Sequence, residues 1–247
     1  MTEHLEQSNE EETNNARHFM KHMNAQSYSC AKEFPNVLFN DDETINNDKD
    51  KDLVMVDVGG GSAIYTLEAV KQNPNLYGIV YELPYIKPIT EEFIIADNLS
   101  SRIAVESGDF FKEDEPLLKP LPDGNGNGNG EERKADIVLF ANILHDWKDE
   151  TNMKLLKKAY DSLYVGGRVV ISEILLADDI SKSSSSATSM NIIMLPYTKG
   201  RQYRSKELHR RLTTIGFINP RTKHLVDDYS LIIADRPNNA NNANYSK

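Results

Sequence analysis

Leu53-Val54-Met55-Val56-Asp57-Val58-Gly59-Gly60-Gly61-Ser62-Ala63 is the stretch on which the fold turns. Its first six residues, rich in β-branched side chains, read as a strand; three glycines then permit a tight turn, and Ser62 opens a helical pattern over 62–72. A strand that turns directly into a helix begins a crossover, and the pattern recurs downstream. Further β-rich runs fall at 76–81, 102–107, 136–140, 168–175 and 230–234, with a weaker one near 221–226. Helical spacing occupies 85–97, 148–163 and 205–215, the last closed by Gly216. Strand and helix alternating in this way predict an α/β fold with a mostly parallel sheet, the last two strands pairing as an antiparallel hairpin at its edge.

Outward from that core, composition excludes several classes. The 247 residues suffice for one α/β domain, and 28 Lys plus Arg against 38 Asp plus Glu leave a net charge of −10, which opposes nucleic acid as a partner. Most of that charge, −7, lies in residues 1–52. The single cysteine, Cys30, permits neither an internal disulfide nor a Cys-based zinc site and fits a reducing, cytoplasmic setting. No apolar run approaches the ~18 residues of a membrane helix, and an acidic N-terminus is unlike a signal peptide. The expected organisation is a polar segment over 1–52 with one amphipathic helix, a domain over 53–236, and a disordered Asn-rich tail over 237–247. In the helix Ala16, Phe19, Met20, Met23, Cys30, Ala31 and Phe34 share one face that docks on the domain, and Pro35 ends it. Polar tracts at 41–52, 123–134 (a Gly-Asn repeat) and 181–189 read as loops, the Gly-Asn repeat being a mobile excursion.

Ligands of an open parallel sheet bind beyond the carboxyl ends of its strands, so the residues following each strand carry the functional question. After the first come Asp57 and the Gly59–Gly61 turn, which admits a ligand near backbone or simply reverses the chain. A dinucleotide fingerprint starting at Gly59 requires glycine at position 64, where Ile64 stands. The second ends at Glu82, 23 residues past Gly59, close to the offset at which an acid reaches a ribose hydroxyl; an ordinary strand-end acid is the alternative. After the third, Asp109 and Phe110 can bind an exocyclic amine and stack on a purine, or merely form a turn. After the fourth, His145 is placed as a general base, unless Asp146 and Asp149 only mark a helix start. Glu173 in the fifth needs a partner if buried, and His145 on the neighbouring strand is the natural one; a lysine would leave Glu173 without function.

Taken together, Val56–Ser62 (VDVGGGS), Tyr81–Pro84 (YELP), Gly108–Phe111 (GDFF), Asn142–Trp147 (NILHDW), Gly166–Glu173 (GGRVVISE) and Met194–Leu208 resemble the class I S-adenosylmethionine-dependent O-methyltransferases of the caffeic-acid and hydroxyindole type. The resemblance spans roughly residues 19–237 and implies a Rossmann-like, seven-stranded sheet with helices on both faces and an antiparallel edge strand. It implies S-adenosylmethionine as donor, without a metal, and a small hydroxylated, aromatic acceptor. Asp57, Gly59, Gly61, Glu82, Asp109 and Phe110 correspond to the cofactor site, with Gly59 and Gly61 under the methionine part, Glu82 on the ribose and Asp109 with Phe110 at the adenine. His145 corresponds to the catalytic base, Glu173 to the acid orienting it, and Met194 to the acceptor pocket.

Three departures stand out. Ala63 replaces the family's third glycine, a change that a helix start tolerates; Tyr203 stands where many members place a second carboxylate supporting the base; and a single helix stands where members carry a helical dimerisation domain, so that any homodimer is weakened. The expected function is O-methyl transfer. The alternative is a catalytically inactive paralogue that binds cofactor or a partner subunit without turnover, and a nicotinamide-dependent oxidoreductase is opposed by Ile64.

Overall fold

The computed structural model describes residues 10–39, 51–112, 115–119, 132–194 and 196–238. In chain order these form α1 (Glu10–Phe39), β1 (Leu53–Val58), α2 (Ile64–Gln72), β2 (Leu76–Glu82), α3 (Lys87–Ala96), β3 (Ile103–Ser107), β4 (Ala135–Ala141), a 3₁₀ turn (Leu144–Asp146), α4 (Asp149–Ser162) and β5 (Leu163–Ile174). A second 3₁₀ turn (Ile180–Lys182), α5 (Ser185–Met194), α6 (Ser205–Ile215), β6 (Ile218–Val226) and β7 (Tyr229–Asp235) complete the order. The seven strands make one sheet in the order β3-β2-β1-β4-β5-β7-β6. The first five run parallel, and β7 and β6 are antiparallel, as the sequence predicts; β7, however, pairs with β5 and leaves β6 at the edge.

Alternation along the strands sends side chains into two cores. Met55, Ile137, Leu139, Val170, Leu231 and Ile233 face α1 and α2, whereas their neighbours Val56, Val138, Phe140, Ile171 and Ile232 face α4 and α6. Both faces are therefore covered, which is why the central strands read as continuous apolar runs. Among the described residues no helix is long and apolar enough to cross a membrane.

Two local expectations need correction. The first helix continues through Pro35 to Phe39. Proline forfeits one backbone hydrogen bond, yet Phe34 and Leu38 on either side are buried and Phe34 meets Tyr65 edge-on at 5.4 Å, so tertiary packing carries the helix across. Within the 181–189 tract, residues from Ser185 onward open α5 rather than remaining loop. Ser184 Oγ accepts the Ala187 N–H at 3.0 Å and Ala187 is buried, so the serine run caps a helix. The 41–52 and 123–134 tracts lie mostly, and the tail from 239 wholly, outside the described residues.

Candidate active site

Chain order reverses direction across the sheet between β1 and β4, and the crevice opens there, at the carboxyl ends of both strands. Register sets the floor. Val58 pairs with Tyr81, Glu82 with Ser107, and Ala141 with Ser172, so the segments that follow β1, β2, β4 and β5 emerge side by side.

On the β1 side, Gly59 and Gly61 take φ of +70° and +56°, left-handed values that glycine adopts without strain. A Cβ on Gly59 would lie 2.6 Å from Ile143 Cδ1 and one on Gly61 3.0 Å from Met20 Sδ, both movable side-chain ends, so the left-handed backbone rather than space is what asks for glycine. Gly61 is held from both ends: its N–H donates to Glu82 Oε1 at 2.9 Å, and its carbonyl accepts from Thr90 Oγ1 at 2.6 Å. Glu82 Oε2 accepts the Leu83 N–H at 2.8 Å. Burial raises the Glu82 pKa above the usual carboxylate range although the Leu83 and Gly61 N–H groups oppose the shift. Asp57 is 1% exposed; its Oδ2 accepts from Thr66 Oγ1 at 2.7 Å while Oδ1 is buried without a partner. Burial pushes its pKa to about 7, reinforced by the Glu82 charge and opposed by the Thr66 hydrogen bond. Ala63, buried at φ +60°, precedes α2 in a left-handed conformation. The alanine that a helix start was expected to tolerate thus holds a geometry that costs an L residue about 1 kcal/mol.

On the β4 side, His145 rides the 3₁₀ turn. Its Nδ1 lies 2.5 Å from Glu173 Oε2, while Glu173 Oε1 accepts the Leu144 N–H at 3.0 Å and the His145 N–H at 3.4 Å. The buried acid therefore has the histidine partner that its position on β5 calls for, and it fixes both the ring and the turn beneath it. Burial disfavours the imidazolium, but the Glu173 charge and hydrogen bond, with Asp146 at 3.5 Å from Nε2, outweigh burial and raise the His145 pKa to about 9.

These two halves open onto one cavity of about 670 Å³. Asp57, Gly59, Gly61, His145 and Met194 all line it. Glu82 stands behind it, touching the lining through the Gly61 N–H. Asp109 Oδ1 accepts the Phe111 N–H at 2.9 Å, a turn hydrogen bond that leaves Oδ2 unengaged by it. Phe110 approaches Gly59, its Cε1 3.8 Å from a Cβ built there, and meets the cavity residue Trp147 edge-on at 6.4 Å. Among the described residues no group of three His, Cys, Asp or Glu is arranged to hold a metal ion.

Several lining residues escaped the sequence. The helix docks through Cys30, Ala31 and Phe34 as expected, and Phe19, Met20 and Met23 of the same face also roof the cavity, where α1 is clipped to α3 by a bidentate Arg17–Glu92 pair at 2.7 and 3.0 Å. Tyr65 and Tyr229 form part of the wall, and Tyr65 Oη lies 3.0 Å from Ser172 Oγ. Tyr229 enters by pairing with Ile174 across the β5–β7 register, a contact that no local pattern reveals. Met190 joins Met194 from α5, the helix that the serine run concealed.

Residues 7–121 and 129–218 match the O-methyltransferase domain family. The chain belongs to that family. Among characterised relatives, the O-methyltransferase domain is 36% identical over 168 residues to 3-hydroxy-5-methyl-1-naphthoate 3-O-methyltransferase from Streptomyces sahachiroi, covering 68% of this chain and 44% of that protein. It is 32% identical over 174 residues to L-tyrosine C(3)-methyltransferase from Streptomyces lavendulae, covering 70% of this chain and 43% of that one. The chain thus spans less than half the length of these relatives. In three dimensions the domain superposes on human N-acetylserotonin methyltransferase, solved in complex with SAM, with a TM-score of 0.75 at 22% identity, covering 96% of this chain and 60% of that one; this likeness bears on the fold.

Proposed function

We propose that the chain is an S-adenosylmethionine-dependent O-methyltransferase for a small hydroxylated aromatic acceptor, with His145 as general base. One observation carries this reading: the His145–Glu173 pair and the Gly59–Gly61 turn face a single cavity. The cofactor half fits such a donor. Left-handed glycines leave backbone accessible, Asp57 Oδ1 is an unpartnered buried acceptor, and each Glu82 oxygen holds one backbone N–H with a lone pair to spare for a ribose hydroxyl. Phe110, beside Gly59, would flank the adenine, with Asp109 next to it in the chain. When bound, S-adenosylmethionine supplies a methyl group already activated on a sulfonium.

The chain must then bring the acceptor oxygen into line and take its proton. Glu173 holds the Nδ1–H, so neutral His145 presents Nε2 as the accepting atom. Met194, Met190 and Trp147 give the acceptor end polarizable and aromatic walls suited to a flat ring. The naphthoate and tyrosine relatives support an aromatic acceptor, and the second of them makes the methylated atom, oxygen or ring carbon, part of the test.

The test is titration calorimetry with S-adenosylmethionine followed by methyl transfer to a panel of phenols, with the product's methylated atom read by NMR. His145→Ala should lower turnover ~10²–10⁴-fold and leave cofactor affinity unchanged. Full activity in that variant removes His145 as the base. Cofactor binding by the wild type without turnover on any phenol supports the inactive paralogue instead.

A further inference from the structure

The three-residue turn that carries His145 is gripped from two sides. From the sheet, Glu173 takes the Leu144 N–H. From the helix layer, Asn152 of α4, fully buried, donates from Nδ2 to the Leu144 carbonyl at 2.7 Å, with the Trp147 carbonyl 3.3 Å away as a weaker shared acceptor. Both polar groups of Leu144 are thereby fixed.

Tyr203 adds a second, side-chain hold on the Asn152 carboxamide in the orientation that the Leu144 carbonyl already demands. Asn152 Oδ1 is buried without a partner, so the orientation is held entirely from the Nδ2 side, where a flip would set Oδ1 against the Leu144 carbonyl. Asn152 Nδ2 donates to Tyr203 Oη at 2.9 Å, and Tyr203 Oη donates onward to Asp149 Oδ1 at 2.8 Å. An ionised carboxylate accepts only, so it consumes the tyrosine's one proton and leaves a lone pair facing Asn152, which must answer with its NH₂. The ring cannot swing: it is 1% exposed, with the guanidinium groups of Arg201 and Arg211 over it at 4.6 and 4.8 Å, and Arg211 also pairs with Asp149 at 2.5 Å.

We propose that Tyr203 and Asn152 are positioning residues for His145, a hydroxyl-to-carboxamide relay that holds the base turn from the side opposite Glu173. Tyr203 thus supplies by hydrogen bonding, through a helix, a support that many family members are expected to draw from a carboxylate at this position. The inference rests on the proposed reaction for its kinetic meaning, and on the hydrogen bonds alone for its structural meaning.

Tyr203→Phe tests it, because the ring and its packing against the two arginines remain while the hydroxyl is lost. Methyl transfer is measured by stopped assay across pH, and the His145 imidazole, which faces Glu173 from β5 and Asp146 from its own turn, is titrated by ¹⁵N NMR. The relay requires kcat to fall about tenfold or more with acceptor KM and S-adenosylhomocysteine affinity within twofold, and the imidazole midpoint to move to lower pH as the ring slackens from Glu173. Asn152→Leu, which keeps the bulk but removes the donor to the Leu144 carbonyl without adding charge, should shift kcat and midpoint in the same direction and further. A lowered melting temperature with kcat per folded molecule and imidazole midpoint unchanged overturns the relay. If the wild type methylates nothing, the proposed function fails, and the NMR midpoint in Tyr203→Phe still decides the relay.

Discussion

Replacing Glu173 by Gln removes one charge and one acceptor while keeping shape, and the structure sets the consequence. Glu173 Oε1 is committed to the Leu144 and His145 N–H groups, so the glutamine oxygen should stay there and the new NH₂ should face His145 Nδ1. Two effects follow. The charge that holds the His145 pKa at about 9 disappears while burial remains, so the pKa should fall to the ordinary 6.5 or below, a loss of imidazolium stabilisation on the order of 3 kcal/mol. At the same time the carboxamide donates to Nδ1 and forces the imidazole proton onto Nε2, the nitrogen left for the acceptor. In the wild type only about 1% of His145 is neutral at pH 7 with a pKa near 9, so turnover should climb with pH through that midpoint. In Glu173→Gln the rising limb should move down by two units or more, yet the plateau should drop ~10²–10⁴-fold because the base is in the wrong tautomer. A pH–rate profile from pH 5.5 to 10, paired with imidazole ¹⁵N shifts, reads both. A variant profile superimposable on the wild type in midpoint and height would refute the coupling of Glu173 to His145.

Three further outcomes are expected. Glu82→Ala should weaken cofactor binding by about 1–3 kcal/mol in calorimetry, since it removes the acceptor that also anchors the Gly61 N–H; unchanged affinity takes Glu82 out of the site. Asp57 has a folded pKa of about 7, above its unfolded value, so its protonated form favours the fold; that contribution is complete below about pH 4 and is lost as pH rises to 7. Asp57→Asn should therefore flatten the apo protein's melting temperature over pH 4–7 and raise stability at pH 7 by up to about 4 kcal/mol, whereas an unchanged pH dependence rejects the assignment. Finally, the family match skips residues 122–128, so shortening 124–130 should leave melting temperature and cofactor affinity unaltered in differential scanning fluorimetry, and a large loss of either would make that tract structural.

The amino-acid sequence by itself determined the strands, most helices and the strand-end chemistry. Each central strand is covered on both faces, so its apolar run is visible without knowing its neighbours, and the glycine turn, Glu82, His145 and Glu173 fall at the ends of such runs. Only the tertiary structure decided what depends on contacts distant in the chain. It carried α1 through Pro35, because Tyr65 on another helix packs against Phe34, and laid the first half of α1 over the cavity, because the second half packs its apolar face on α2, with the exposed Arg17–Glu92 pair as a further clip. It placed β7 between β5 and β6 and so brought Tyr229 to the cavity wall. It turned Asp109 onto its own backbone, and it set Tyr203 behind the base turn by way of Asn152, 51 residues away in sequence. Local propensity and periodicity report which face a residue buries; which partner meets that face is fixed by packing between elements, and no single stretch of chain encodes that pairing.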